Sequence, residues 1–429
     1  MVFRLGEANR DAKLAYPQRL THADAAVTAD AAISIGSKAL RNRWSILAVL
    51  FVVRLTMAFQ FQSVASVAPL LGREFGVGLA DIGILIGLYF TPGIALALPG
   101  GAIGQRFGDK KTVLAALLLM LIGGLVMALS PSWNVQIAGR LIAGGGAVLM
   151  NVLLTKMIAD WFACKEIATA MAIFVNSWPM GIALSLLALP LIGTTYGVSA
   201  VHLAVAALIG LATVLLAAAY QAPSNSVSAA VTSVRLDRST LVAVVVAGLM
   251  WGLYNVGFAV IFSFGPSMLV ERGWSIGAAA GTISVGLWLG IVFVPAGGFL
   301  ADRTGRPGAI LVAGCIVFAM LMLILSHSDA VILTIIGLGL LGGLPAGPMM
   351  SLPARVLRPE TRAIGMGVFY TLFYAAMMVG PVVGGACTKW TGSASAAFDF
   401  GAVVLVACPL LLFVFNRIAA TTPRLVEQF

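Results

Sequence analysis

Twelve apolar runs, each long enough to cross a hydrocarbon layer, follow one another along this chain with little room between them. A helix needs about 20 apolar residues to span a bilayer core. Runs of that kind lie at about 45–70, 80–104, 112–130, 133–157, 167–193, 198–220, 241–269, 276–301, 308–326, 330–353, 363–387 and 396–416. Most connections are short, but 221–240 carries Pro223, Ser224, Asn225, Ser226, Arg235, Asp237 and Arg238 and divides the runs six and six. Of 429 residues, 60% are hydrophobic and 10% charged, more apolar surface than a soluble core of this size can hide. The expected fold class is an all-α membrane protein: twelve transmembrane helices in two pseudo-symmetric six-helix bundles.

The pseudo-symmetry rests on an internal repeat. Gly101-Ala102-Ile103-Gly104-Gln105-Arg106-Phe107-Gly108, followed by Asp109, returns 197 residues later as Gly298-Phe299-Leu300-Ala301-Asp302-Arg303-Thr304-Gly305-Arg306. Each copy sits where an apolar run gives way to a polar turn, and a turn repeated at half-length marks two homologous bundles. A weaker echo pairs Lys165-Glu166 before Ala170-Met171 with Pro359-Glu360 before Gly365-Met366.

The net charge of +10 is distributed by side rather than clustered for nucleic acid. Only Arg73, Arg272 and Lys389 fall on one side of the expected bilayer, and Arg54 and Arg140 fall inside spans. Every other Lys and Arg falls in the tails, the central connection or the alternate turns of the opposite side. Positive charge is retained in the cytoplasm, so both termini are expected there. The expected divisions are a disordered N-terminal tail (1–43), an N-terminal bundle (44–220), a linker (221–240), a C-terminal bundle (241–418) and a C-terminal tail (419–429). The four cysteines show no paired spacing and read as packing residues. Gly337-Leu338-Gly339-Leu340-Leu341-Gly342 spells a nucleotide-binding fingerprint. It lies inside an apolar span with no strand before it, so close helix packing explains it. No cofactor, metal or nucleic acid is expected, and no enzyme activity.

The twelve spans and the G-x-x-x-D-R-x-G-R turn after spans two and eight resemble the major facilitator superfamily over about residues 44–418. Arg140-Leu141-Ile142-Ala143-Gly144-Gly145-Gly146 is similar to that family's R-x-x-x-G-x-G pattern in span four, and Asp160-Trp161-Phe162 with Lys165-Glu166 to its fourth cytoplasmic connection. The Gly-rich second span and Asn176-Ser177-Trp178-Pro179 resemble cyanate-permease-like carriers. The resemblance implies alternating access in a bacterial inner membrane, with the chain expected to work as a monomer. It also implies a gate formed by Gly101, Gln105, Arg106, Gly108 and Asp109 in one half and Gly298, Asp302, Arg303, Gly305 and Arg306 in the other. Two departures matter. Gln105 stands where the family has an acid that latches the halves, and Asp109 where it has a base, so Asp302 is expected to carry more of the latch. The antiporter pattern G-P-x-x-G-G is missing from span five, while Gly380-Pro381-Val382-Val383-Gly384-Gly385 stands in span eleven.

Arg54 and Arg140 are the residues with chemistry to offer at depth. An arginine within a span costs at least about 2.5–3.5 kcal/mol on insertion scales, so it faces a cavity or a partner. The alternatives are snorkelling to the nearer face for Arg54 and bonding to neighbouring helix carbonyls for Arg140. Asp81, Asp160, Glu166, Glu271, Asp302, Asp329, Glu360 and Asp399 all fall at span ends or in turns. Buried cations without buried carboxylates favour a small anionic substrate, which a guanidinium fork fits. Gln62, Asn176, Tyr254 and Asn255 are further expected substrate contacts, with Gln60, Asn151, Trp178, Trp251, Tyr370 and Tyr374 as secondary polar or aromatic candidates. His202 reads as an interfacial histidine near the end of span six. The alternatives are a drug exporter, which for a cation would need a buried acid, and a membrane enzyme or sensor, which would need a clustered site or a soluble extension.

Overall fold

The computed structural model describes residues 22–97, 99–162, 167–222, 236–358 and 361–421; the side chains at 22–42, 101, 105, 167–169, 172, 302, 362, 363 and 421 are not described. The chain divides into two units, Met1–Ser45 and Ile46–Phe429. The first, where described, is helical from His22. The second holds the bundle. All regular structure among the described residues is helical. Spans 1–6 are Arg43–Ser66, Leu79–Leu96, Asp109–Leu129, Trp133–Phe162, Ile173–Tyr196 and Val198–Ala219. Spans 7–12 are Arg238–Glu271, Ile276–Ala301, Pro307–His327, Val331–Arg355, Ile364–Thr391 and Ser395–Ala420. The expected count of twelve is met.

The repeated turn has a backbone reason. Gly108 at φ 86° and Gly305 at φ 63° both occupy the left-handed region, which residues with a Cβ enter only at a cost. Each reverses the chain between an even and an odd span. In the N half the turn is tied to its own bundle: Lys156 Nζ lies 2.7 Å from Asp109 Oδ2. Lys110 Nζ donates to the carbonyls of Ala217 (2.9 Å) and Tyr220 (2.8 Å) at the end of span 6, where the helix dipole favours a cation.

Several spans are broken, and prolines account for the breaks. Span 2 runs as Leu79–Leu88 and Thr91–Leu96, with a further helix at Gly100–Phe107. Pro92 has no N–H for the carbonyl four residues back, and the amide of Tyr89 turns to Ile86 O instead of Leu85 O. Span 5 continues a helix at Ile167–Val175 into Ser177–Tyr196 through Asn176, with Pro179 just beyond. Span 10 breaks between Leu341 and Ala346.

In hydrocarbon a freed carbonyl must find a donor, and Arg140 supplies one. Its Nε donates to Leu85 O (3.1 Å), Nη1 to Gln60 O (2.8 Å) and Nη2 to Phe61 O (2.6 Å). The guanidinium lies 4.4 Å from the Tyr89 ring centre, and the residue is 0% exposed. Span 4 is thereby pinned to spans 1 and 2. The expectation that Arg140 meets the substrate is not what this geometry provides, because every nitrogen is turned to backbone and none reaches open space.

The halves meet along two seams, span 2 against span 11 and span 5 against span 8. A Cβ on Gly87 would come within 2.2 Å of Met378 O, so glycine is what lets these backbones touch. Ser284 Oγ donates to Ala183 O across the other seam (3.1 Å) and Gln62 Nε2 to Phe262 O (2.6 Å) between spans 1 and 7. Toward the face carrying the basic turns, the segments pack within their own halves. Gly100–Phe107 lies on spans 3 and 4, Ile167–Val175 on span 4, and Ala346–Ser351 on spans 7, 8 and 9.

Three substitutions test this account by thermal unfolding in detergent. Gly87→Ala should destabilise the bundle by about 1–3 kcal/mol through overpacking, whereas Gly210→Ala, where a Cβ meets nothing within 4 Å, should not. Arg140→Gln should cost on the order of 3 kcal/mol, since hydrogen bonds from a charged donor contribute about 1.5–3 kcal/mol each. An unchanged midpoint for Arg140→Gln would refute the clamp.

Candidate functional site

The break in span 5 assembles the site. Pro179 stands four residues after Val175 and cannot donate to its carbonyl, so that oxygen is left at a helix end. Arg54 reaches it from the middle of span 1, eleven residues and roughly 16 Å along the helix from Arg43. Its Nη1 is shared among Phe174 O, Val175 O and Ser177 Oγ, each at 3.1 Å. Ser177 Oγ in turn donates to Phe174 O (2.6 Å). The Phe174 ring centre lies 4.8 Å from the guanidinium carbon, a distance at which the ring quadrupole attracts a cation.

The other edge of the guanidinium leads to the opposite half. Arg54 Nε donates to Asn151 Oδ1 of span 4 (2.9 Å), and Asn151 Nδ2 donates to the Tyr374 hydroxyl of span 11 (2.9 Å). One asparagine therefore joins a cation of the N half to a phenol of the C half. Tyr374 is itself fixed by aromatic packing, with its ring 5.8 Å from Phe90 at 30° and 5.1 Å from Phe373. Phe90 and Phe61 pack on Trp178 at 5.9 and 5.4 Å, and Phe61 meets Phe262 edge-on at 6.0 Å. These rings form a plug across the halves on the side of Arg54 away from the basic turns.

Electrostatically, the Arg54 charge is eased by carbonyl dipoles and not cancelled by a carboxylate. A cation at a helix C-terminus gains about 0.3–1 kcal/mol, up to about 2 when partly buried. That is less than the cost of placing it there, so packing and hydrogen bonds carry the rest. Nη2 has no partner among the described residues and is not sealed from solvent, and Arg54 as a whole is half-buried. A free N–H pair on an uncancelled cation is a docking edge for an oxyanion.

The other expected contacts fall into two groups. Asn176 sits at the break beside the Arg54 partners and is half-buried. Gln62 is fully buried on Phe262 O, Tyr254 donates its hydroxyl to Gly342 O (2.9 Å) at the break in span 10, and Asn255 Nδ2 bonds back to Trp251 O (2.8 Å) on its own helix. The structure therefore gathers Arg54, Asn151, Asn176 and Tyr374, and leaves Arg140, Gln62 and Tyr254 to hold helices together. Arg140 contacts span 1 at Gln60 and Phe61, six and seven residues beyond Arg54, or roughly 9–10 Å along the axis. His202 is buried, with Nε2 unpartnered among the described residues, and not interfacial, because span 6 turns it inward against its own half. The side chains of Gln105 and Asp302, expected in the gate, lie outside the described residues. Phe174, Ser177 and two backbone carbonyls were not read from the sequence as site groups; Pro179, four residues past Val175, was the available signal.

The sequence profile of the Major Facilitator Superfamily matches residues 50–357. A hexuronate transporter of Bacillus subtilis is 21% identical over 407 residues, covering 88% of this chain and 95% of that protein. A multidrug transporter of Aspergillus fumigatus is 29% identical over 131 residues, 30% of this chain and 25% of that one. Several curated relatives are matched over only 14–37% of their own length. Among solved structures, a bacterial homologue of the human lysosomal transporter Spinster, inward-facing and occupied, aligns with a TM-score of 0.70 at 16% identity, over 90% of this chain and 99% of that one. With twelve spans in the expected order, the two motif turns at left-handed glycines and the match across most of the chain, the protein belongs to the Major Facilitator Superfamily.

Proposed function

We propose that this chain is a transporter of a small anion that works by alternating access, with Arg54 as the cationic anchor. The observation that carries this reading is the free Nη2 edge of Arg54, a mid-span cation with no carboxylate beside it. The acids described in the spans or at their edges lie toward the two faces: Asp109, Asp160 and Asp237 near the basic turns, Asp81, Glu271, Asp329 and Asp399 near the opposite face. A cationic substrate would meet an uncancelled positive charge.

Packing supports the transport half of the reading. The seams close the molecule on the side away from the basic turns, and the segments nearer those turns belong each to their own half. If the basic face is cytoplasmic, this is a cytoplasm-facing arrangement in a bacterial inner membrane, with both termini on the same side. The likeness of Asn176-Ser177-Trp178-Pro179 to cyanate-permease-like carriers agrees with an anion, because that segment supplies Ser177 to Arg54. The chain in this reading is not an enzyme, needs no cofactor and acts as a monomer.

Thermal unfolding of the purified protein against nitrate, cyanate, acetate, benzoate and organic cations, at fixed ionic strength, tests the proposal. An anion at 100 times its dissociation constant should stabilise the fold by about 2.7 kcal/mol, and Arg54→Gln should remove that gain. Stabilisation by cations or neutral drugs, unaffected by Arg54→Gln, would sink the anion reading and favour an exporter of hydrophobic compounds.

A further inference from the structure

The neighbourhood of Arg54 is polar at one point and aromatic elsewhere. Its close polar side chains, Asn151 and Ser177, both accept from the guanidinium and donate to the Tyr374 hydroxyl and to Phe174 O respectively. Around them stand Phe174 and Tyr374. Tyr370 lies one turn before Tyr374 on span 11, closer to the basic turns, and is half-buried. Its ring packs on Phe369 and Phe373 at 5.5 and 6.2 Å. Its hydroxyl has no hydrogen-bond partner among the described residues and is not sealed from solvent. Tyr374 differs, because its hydroxyl is already taken by Asn151.

Two donors are thus free, one from each half: Nη2 of Arg54 and, one helical turn from the Tyr374 that Asn151 ties to Arg54, the hydroxyl of Tyr370. The half-buried rings of Trp178 and Phe373 extend the same neighbourhood. The second cation that a doubly charged ligand would call for is sealed, since Arg140 is wholly bonded to backbone. Of the groups that could read a sugar acid's hydroxyls, the described neighbours of Arg54 offer Asn176 at the span 5 break, while the other free positions are aromatic.

We propose, resting on the anion reading above, that the ligand is a monocarboxylate with a flat apolar body. Its carboxylate is held between Arg54 of the N half and the Tyr370 hydroxyl of the C half, and its body lies against Trp178 and Phe373. The carboxylate has two oxygens, so one takes the guanidinium edge and the other the phenol. Because the two donors belong to different halves, a bound carboxylate ties span 1 to span 11 at the level where the Arg54–Asn151–Tyr374 chain already joins them. An inorganic anion of the same charge would fill the clamp but leave the rings unoccupied, which predicts a preference set by the ligand's apolar area.

The test uses the full-length purified protein and benzoate, acetate, nitrate, galacturonate and benzamide as probes, read by thermal shift and by titration. Benzoate should bind at least tenfold more tightly than acetate, nitrate or galacturonate, and benzamide should not bind measurably. Tyr370→Phe, which keeps the ring packing, should weaken benzoate about tenfold while leaving the unliganded midpoint in place. Trp178→Ala should narrow the gap between benzoate and acetate without changing the affinity for acetate. Equal affinities for benzoate and acetate, both lost in Arg54→Gln, would overturn the monocarboxylate proposal and leave the anion reading standing. Binding of benzamide as tight as that of benzoate would overturn both. Should Tyr370→Phe fail to fold, the comparison of benzoate with acetate on the unaltered chain still decides.

Discussion

A backbone carbonyl without a donor is costly in hydrocarbon, where no water can take the place of a missing N–H, and this structure is organised around two places where helices release such carbonyls. Span 2 breaks after Leu88 and span 5 breaks at Asn176. Each break is met by an arginine from another span. Arg140 closes the first, with each of its three guanidinium nitrogens donating to a carbonyl, Leu85, Gln60 or Phe61. Arg54 closes the second with Nη1 and is steadied through Nε by Asn151, which leaves Nη2 over. The same side chain in the same chemical setting is thus wholly consumed in one place and partly free in the other. That remainder separates architecture from a site.

The breaks also shape how the halves meet. Where span 2 bends at Tyr89 and Phe90, the Phe90 ring turns into the middle of the molecule and stacks on Tyr374 of the C half. Glycine at 87 lets the neighbouring backbone come close enough for that stack to form. Elsewhere, Gln62 Oε1 on span 1, whose Nε2 bonds span 7, and Ser263 Oγ and Ser267 Oγ on span 7 are buried without partners among the described residues. A buried polar group left unmade costs about 1–3 kcal/mol, which offsets part of the packing gain.

Much of the architecture was legible in the residues. Twelve apolar runs of bilayer length and the two glycine turns follow from local rules: the length needed to span hydrocarbon and the left-handed backbone that only glycine enters cheaply. The importance of Arg54 was legible for the same kind of reason, since a charge at depth needs an explanation wherever it lies. The difference between Arg54 and Arg140 was not. Both are arginines inside spans, and sequence spacing does not say whether a guanidinium's donors meet carbonyls of another helix. His202 shows the same limit: its place near a span end reads as interfacial, while its rotation about the helix axis buries it.

What the sequence determined by itself is the set of elements, their number, their order and their pairing into two repeats, because hydrophobic length and turn chemistry are properties of contiguous residues. What only the tertiary structure decided is which polar groups remain unspent. Tyr374 and Tyr370 are one helical turn apart and chemically alike, yet Asn151 from the other half takes one hydroxyl and leaves the other. That outcome depends on contacts between residues more than 200 positions apart, and those contacts are set by how broken helices from both halves pack, not by any pattern along the chain.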